Sequence, residues 1–135
     1  MKIFTSYFGN LKKLTKNGIV ALGVSRYPPR WFNNASIFEL APQAWMLGKT
    51  VTQAEYDKAY ALQLSKLKPS NIIAEIKKMS QGGKDVALCC FEKNANECHR
   101  SAVMKWLNKA GYEIEEFQQE DEAPKAPPIS QGMLF

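Results

Sequence analysis

Acidic residues are missing from the first 38 positions of this 135-residue chain. None precedes Glu39, whereas Lys2, Lys12, Lys13, Lys16, Arg26 and Arg30 all do. Histidine occurs once, at His99, and cysteine three times, at Cys89, Cys90 and Cys98. An odd set with two adjacent members does not suit a disulfide framework, so free thiols in a reducing cytoplasm are expected. No apolar run approaches the ~18 residues of a membrane span, and Met1-Lys2-Ile3-Phe4-Thr5-Ser6 lacks the apolar core of a signal peptide. These absences point to a cytoplasmic protein without a membrane partner. No internal repeat is present.

What is present is a globular composition, 45% hydrophobic and 23% charged, in a chain long enough for one self-supporting core. The net charge of +5 is unevenly spread. Residues 1–112 hold 17 basic and 7 acidic side chains, and residues 113–135 hold 1 and 6. A basic body attracts polyanions, although scattered lysines also make an ordinary solvated surface.

Lys2–Phe8 reads as a first strand, and Ile19–Ser25 as a strand buried on both faces. Pro28 and Pro29 force a loop between Arg26 and Asn34. Thr52 with Glu55 is a capping box, opening a helix with Tyr56, Tyr60, Leu64 and Leu67 on one face. Pro69 starts the next helix, whose stripe is Ile72, Ile73, Ile76 and Met79, and Gly82-Gly83 stops it. Asp85–Phe91 is the second strongly buried strand. A helix with Val103, Trp106, Leu107 and Ala110 on one side ends at Gly111, and Tyr112–Phe117 closes the domain as an edge strand. The alternation predicts an α/β fold: a small doubly wound, mainly parallel sheet with flanking helices, residues 1–117. Residues 118–135 read as a flexible, acidic and Pro-rich tail.

Ligands in such sheets bind beyond the carboxyl ends of the strands, where the loops after Ser25 and Phe91 fall. The stretch Cys89–Arg100 holds every cysteine and the histidine. With Asn96 as N-cap, Cys98, His99 and Arg100 would occupy a first helical turn, a setting that favours anions and depresses a thiol pKa. Arg26, Arg30 and Arg100 are the candidate anion ligands. Glu92, Cys98 and Arg100 are the candidate catalytic residues, with Cys90 and His99 possible additions. Cys89 reads as core, and His99 fits either a core histidine or a site residue. The segment lacks Cys-x-x-Cys or His-x-x-x-His spacing, so neither metal nor cofactor is expected.

Cys90-x-Glu92 followed by Cys98-His99-Arg100 resembles the family called domain of unknown function 488. So do Ile3–Phe8 and the Arg26-Tyr27-Pro28-Pro29 loop, which resemble its short members. That resemblance implies a compact α/β fold with Arg26, Cys90, Glu92, Cys98, His99 and Arg100 around one pocket, and it implies no established activity. Longer members carry an aspartate where this chain has Val24. The terminal Gln131-Gly132-Met133-Leu134-Phe135 resembles the bacterial sliding-clamp-binding pentapeptide, with Gly132 departing from its usual leucine. Gln131, Met133, Leu134 and Phe135 are therefore the candidate contacts to a DNA sliding clamp. The combined expectation is a protein of nucleic-acid metabolism with an anion or nucleotide pocket, tethered to the clamp. The alternatives are a thiol-dependent or acid–base enzyme acting on a phosphate-bearing small molecule, and a non-catalytic adaptor.

Overall fold

A computed structural model describes residues 1–93 and 99–118. Cys98 and the four clamp-contact candidates lie outside the described residues, as does Asn96. Four strands form one sheet: β1 (Ile3–Tyr7), β2 (Val20–Gly23), β3 (Val86–Cys90) and β4 (Ile114–Glu116). Their spatial order is β2-β3-β1-β4 and every pairing is parallel. Among the described residues the α-helices are α1 (Leu11–Lys16), α2 (Gln53–Ser65), α3 (Pro69–Lys78) and α4 (Arg100–Lys109).

Side-chain alternation on the strands divides the core in two. Val20, Leu22, Val86, Leu88 and Cys90 face a large cluster with Tyr60 and Leu64 of α2, the isoleucines of α3, and Val103 and Leu107 of α4. Ala21, Ala87 and Cys89 face the opposite way, toward Phe8, Phe32 and Leu14 of α1. Helices thus cover both faces, and the sheet is doubly wound as its sequence pattern predicts. Each fully buried Val, Leu or Ile contributes about 1.5–3 kcal/mol of transfer free energy, so β3, wholly buried, anchors both layers.

Local chemistry explains the element ends. The Thr52 hydroxyl accepts from Glu55 N–H while the Glu55 carboxylate accepts from Thr52 N–H, completing the capping box. Pro69 occupies the first turn of α3, where its missing N–H costs nothing. At the end of β2 the chain returns beside itself: Gly23 N–H donates to Ala35 O, and Gly23 O accepts from Ile37 N–H. A Cβ at residue 23 would lie 2.5 Å from Ser36 Oγ and 3.2 Å from the Phe32 ring, so a larger residue would have to displace these side chains. Among the described residues, no helix is long and apolar enough to cross a membrane.

Candidate functional site

β2 and β3 run side by side, and Val24 N–H still donates to Cys89 O one residue past the end of β2. Beyond that point the two chains separate. A crevice of about 900 Å³ opens between them, above α2 and α4. Ser25, Arg26 and Tyr27 enter it from the β2 side, and Phe91 and Glu92 from the β3 side. Tyr56, Asp57 and Tyr60 of α2 form a second wall; His99, Lys105 and Trp106 on and just before α4 form a third.

The wall below Arg26 is built from short helical turns, Phe38–Leu40 and Ala44–Leu47, tied down by α2. Tyr60 O–H donates to Leu40 O at 2.5 Å, and Gln63 Nε2 donates to Ala41 O at 2.7 Å. Pro42 O in this segment accepts from Arg26 Nε at 2.7 Å, which fixes the direction of the guanidinium. Burial holds the Tyr60 phenol well above its ordinary pKa, with Tyr56 adding to the effect. Burial also raises Tyr56 to about 12, helped by the charge of Asp57. Both phenols are therefore neutral at physiological pH and offer hydrogen bonds rather than bases.

His99 bridges core and crevice. Its Nε2 lies 2.6 Å from Val24 O, and its ring meets the Tyr60 ring edge-on at 5.3 Å. A carbonyl oxygen only accepts, so Nε2 carries the hydrogen and the neutral ring keeps its lone pair on Nδ1. Burial pushes the imidazole below its ordinary pKa of 6.5; the Val24 carbonyl opposes that shift and the Arg100 charge reinforces it. At neutral pH the ring is uncharged.

Arg100, in contrast, does not line the crevice. It is fully buried and all five of its N–H donors are engaged. Nε and Nη2 grip both oxygens of Glu116 at 3.1 and 2.9 Å, forming a bidentate pair. Nη2 also donates to Lys93 O at 2.8 Å, and Nη1 to Glu92 O and to Cys90 Sγ. Thr5, beside Glu116 in the parallel register of β1 and β4, donates its hydroxyl to Glu116 Oε1 at 2.7 Å. Arg100 thereby joins β1, β4, the end of β3 and the start of α4.

The predicted site residues divide accordingly. Arg26, Glu92 and His99 converge on the crevice. Arg30 is exposed and outside its lining, and Cys90 is buried in the core. Cys90 is disulfide-bonded, which corrects the free-thiol expectation for that residue. Its neighbour Cys89 is free and buried; burial pushes its thiol up to about 12, with Arg100 lowering it and Glu116 raising it by smaller amounts. Among the described residues, no group of three His, Cys, Asp or Glu is placed to hold a metal ion.

A family profile described as DUF488-N3a, the active DUF488-N3 subclade, matches residues 5–111. The chain belongs to this family. No curated protein and no solved structure matches it with significance. The DUF488-N3a match runs from within β1 through α4, and so contains every crevice residue named above. It stops short of β4, which leaves Glu116, the partner of Arg100, outside the matched span.

Several crevice residues escape a reading of this DUF488-N3a sequence. Tyr56 and Tyr60 share one helical face, which reads as core, yet both line the crevice. Asp57, next to Tyr56, carries no motif. Lys105 and Trp106 continue α4 away from the Cys-His-Arg segment, and only the helical spacing of Ala102, Lys105 and Trp106 hints that they share a side.

Proposed function

We propose that the crevice binds a nucleotide-like ligand, an aromatic ring carrying an anionic group, and performs acid–base chemistry on it. The observation that carries this reading is the meeting of Arg26 and Lys105 with Tyr27, Tyr56, Phe91 and Trp106 in one concave space. Its volume falls within the range of small-molecule sites. Aromatic faces stack on planar rings, and an arginine fork suits phosphate oxygens. Arg26 is already oriented by Pro42 O, so little side-chain freedom is lost on binding. His99, neutral at physiological pH and part of the crevice wall, is the candidate imidazole for proton transfer. Glu92 is the candidate carboxylate for acid–base chemistry at the site. The word "active" in the description of the subclade supports an enzyme over an adaptor. Acid–base chemistry is favoured over a thiol mechanism at Cys90 or Cys89, because Cys90 is disulfide-bonded and the Cys89 thiol stays protonated.

The test is calorimetric titration with a mononucleotide, the matching nucleoside and inorganic phosphate. The mononucleotide binds most tightly, and Arg26→Ala weakens it at least about tenfold. No binding by any of the three in the millimolar range would refute the reading.

A wider role in nucleic-acid metabolism, with Gln131, Met133, Leu134 and Phe135 docking on a DNA sliding clamp, is part of the same proposal. It is supported by the sequence pattern of the tail and by the basic body. Removing Gln131–Phe135 abolishes clamp binding in a pull-down with purified clamp; an unchanged interaction rejects this part.

A further inference from the structure

The carboxyl rim of the sheet carries aromatic rings at the crevice mouth and beyond it. Phe8 follows β1, Phe91 follows β3, and Phe32 lies on the loop from β2. The Phe8 ring contacts Phe91 at 5.2 Å and Phe32 at 4.7 Å, both edge-to-face. This buried or half-buried row runs across the rim, from the crevice to the face covered by α1. Exposed aromatics stand at either end. Tyr27 is 63% exposed and Phe91 52% at the crevice mouth, and Trp31, the neighbour of Phe32, is 55% exposed. Solvent-exposed Trp, Tyr and Phe gathered along one rim are a feature of binding surfaces.

On the β2 side of this path the charge is basic, while Glu92 beside Phe91 and Asp57 of α2 are the carboxylates of the crevice. Arg26 and Arg30 flank Tyr27 and Trp31 in the loop, and Lys12 and Lys16 are exposed on α1 beyond them. No carboxylate occurs in residues 1–38. Exposed rings interleaved with cations are the elements with which proteins hold single-stranded nucleic acid. Bases stack on the rings while arginine and lysine neutralise phosphates.

We infer that the ligand of the crevice is one nucleotide of a single strand, whose neighbouring nucleotides lie along the rim on Phe91, Tyr27 and Trp31. This rests on the nucleotide reading of the crevice and adds the class of its substrate. A single strand is favoured over a duplex because exposed rings need unstacked bases, and the crevice is walled on three sides.

The experiment compares a mononucleotide with a fluorescein-labelled oligothymidylate of about a dozen nucleotides, by anisotropy and competition on the full chain. The oligonucleotide binds at least about tenfold more tightly than thymidine monophosphate, given the strength of base–aromatic stacking. Trp31→Ala, at an exposed loop position outside the crevice lining, weakens the oligonucleotide about fivefold or more and leaves the mononucleotide unchanged. Raising salt about fourfold weakens the oligonucleotide about twentyfold if three cations each meet a phosphate. Equal affinity for the two probes overturns the inference and leaves the nucleotide reading standing. Oligonucleotide binding that is indifferent to Arg26→Ala also overturns it, because the strand would then bypass the crevice. Failure of both probes to bind removes the nucleotide reading and this inference together.

Discussion

Replacing Arg100 with lysine keeps the positive charge and removes the fork, so it isolates the geometric role of this side chain. The guanidinium satisfies five acceptors: two oxygens of Glu116, Glu92 O, Lys93 O and Cys90 Sγ. An ammonium has three donors from one point, so at least two acceptors lose their partner. A buried acceptor left without a partner costs about 1–3 kcal/mol. The Glu116 side chain is 26% exposed, and water can replace part of what is lost there. Arg100→Lys is therefore expected to lower stability by about 2–4 kcal/mol. For a domain of this size that corresponds to a drop of roughly 10 °C in Tm. Urea unfolding monitored by tryptophan fluorescence measures it, with an unchanged m-value confirming that the native state alone is affected. The folded variant should bind mononucleotide within about twofold of the parent, because Arg100 does not reach the crevice. A stability loss below about 1 kcal/mol, or a tenfold loss of affinity with stability intact, would refute the structural assignment and return Arg100 to the ligand.

Two further outcomes are expected. Because burial lowers the His99 pKa in the folded state, the unfolded chain binds the proton more readily between that lowered value and 6.5. Stability should be flat in this respect above pH 6.5 and should fall below it, by at most about 1.4 kcal/mol per pH unit. His99→Gln should remove that slope in urea titrations between pH 5 and 6.5; a slope that persists assigns the effect elsewhere. Cys89 should resist iodoacetamide at pH 8 in native protein and react fully in guanidinium, read by mass spectrometry, because burial holds its thiol near 12. Rapid native labelling would contradict the buried placement.

The parts of the fold that the sequence made legible are those with strong period or punctuation. Ile19–Ser25 and Asp85–Phe91 read as buried strands because β-branched and apolar residues run without alternation, and β2 and β3 lie inside them. α2 was marked by Thr52 and Glu55, and α3 by Pro69. α1 carries no such mark: six residues, Leu-Lys-Lys-Leu-Thr-Lys, are too short for periodicity, and Asn10 caps it without a side-chain bond. Glu116 lies in the segment Tyr112–Phe117 that reads as an edge strand. Its parity with Ile114 places it on the core face, but only the buried guanidinium explains why a carboxylate belongs there. The same pairing withdraws Arg100 from the anion site that Cys-His-Arg suggested: a helix start offers an anion site only if its arginine is not already committed. The crevice itself was half visible. Its two loops follow from the strand ends, whereas the α2 wall depends on the crossing of helix and sheet, which no local pattern encodes.

The strand order has a consequence for how the chain is made. β1 sits between β3 and β4, so both of its edges wait for segments that emerge about 80 and 110 residues later. At ribosomal speeds of roughly 5–20 residues per second, β1 stays without a partner for at least several seconds. During that interval Ile3 and Phe4 are exposed and the backbone of β1 can pair with other strands. The charges around it, all basic through residue 38, keep nascent copies apart by mutual repulsion until Glu116 arrives to meet Thr5 and Arg100.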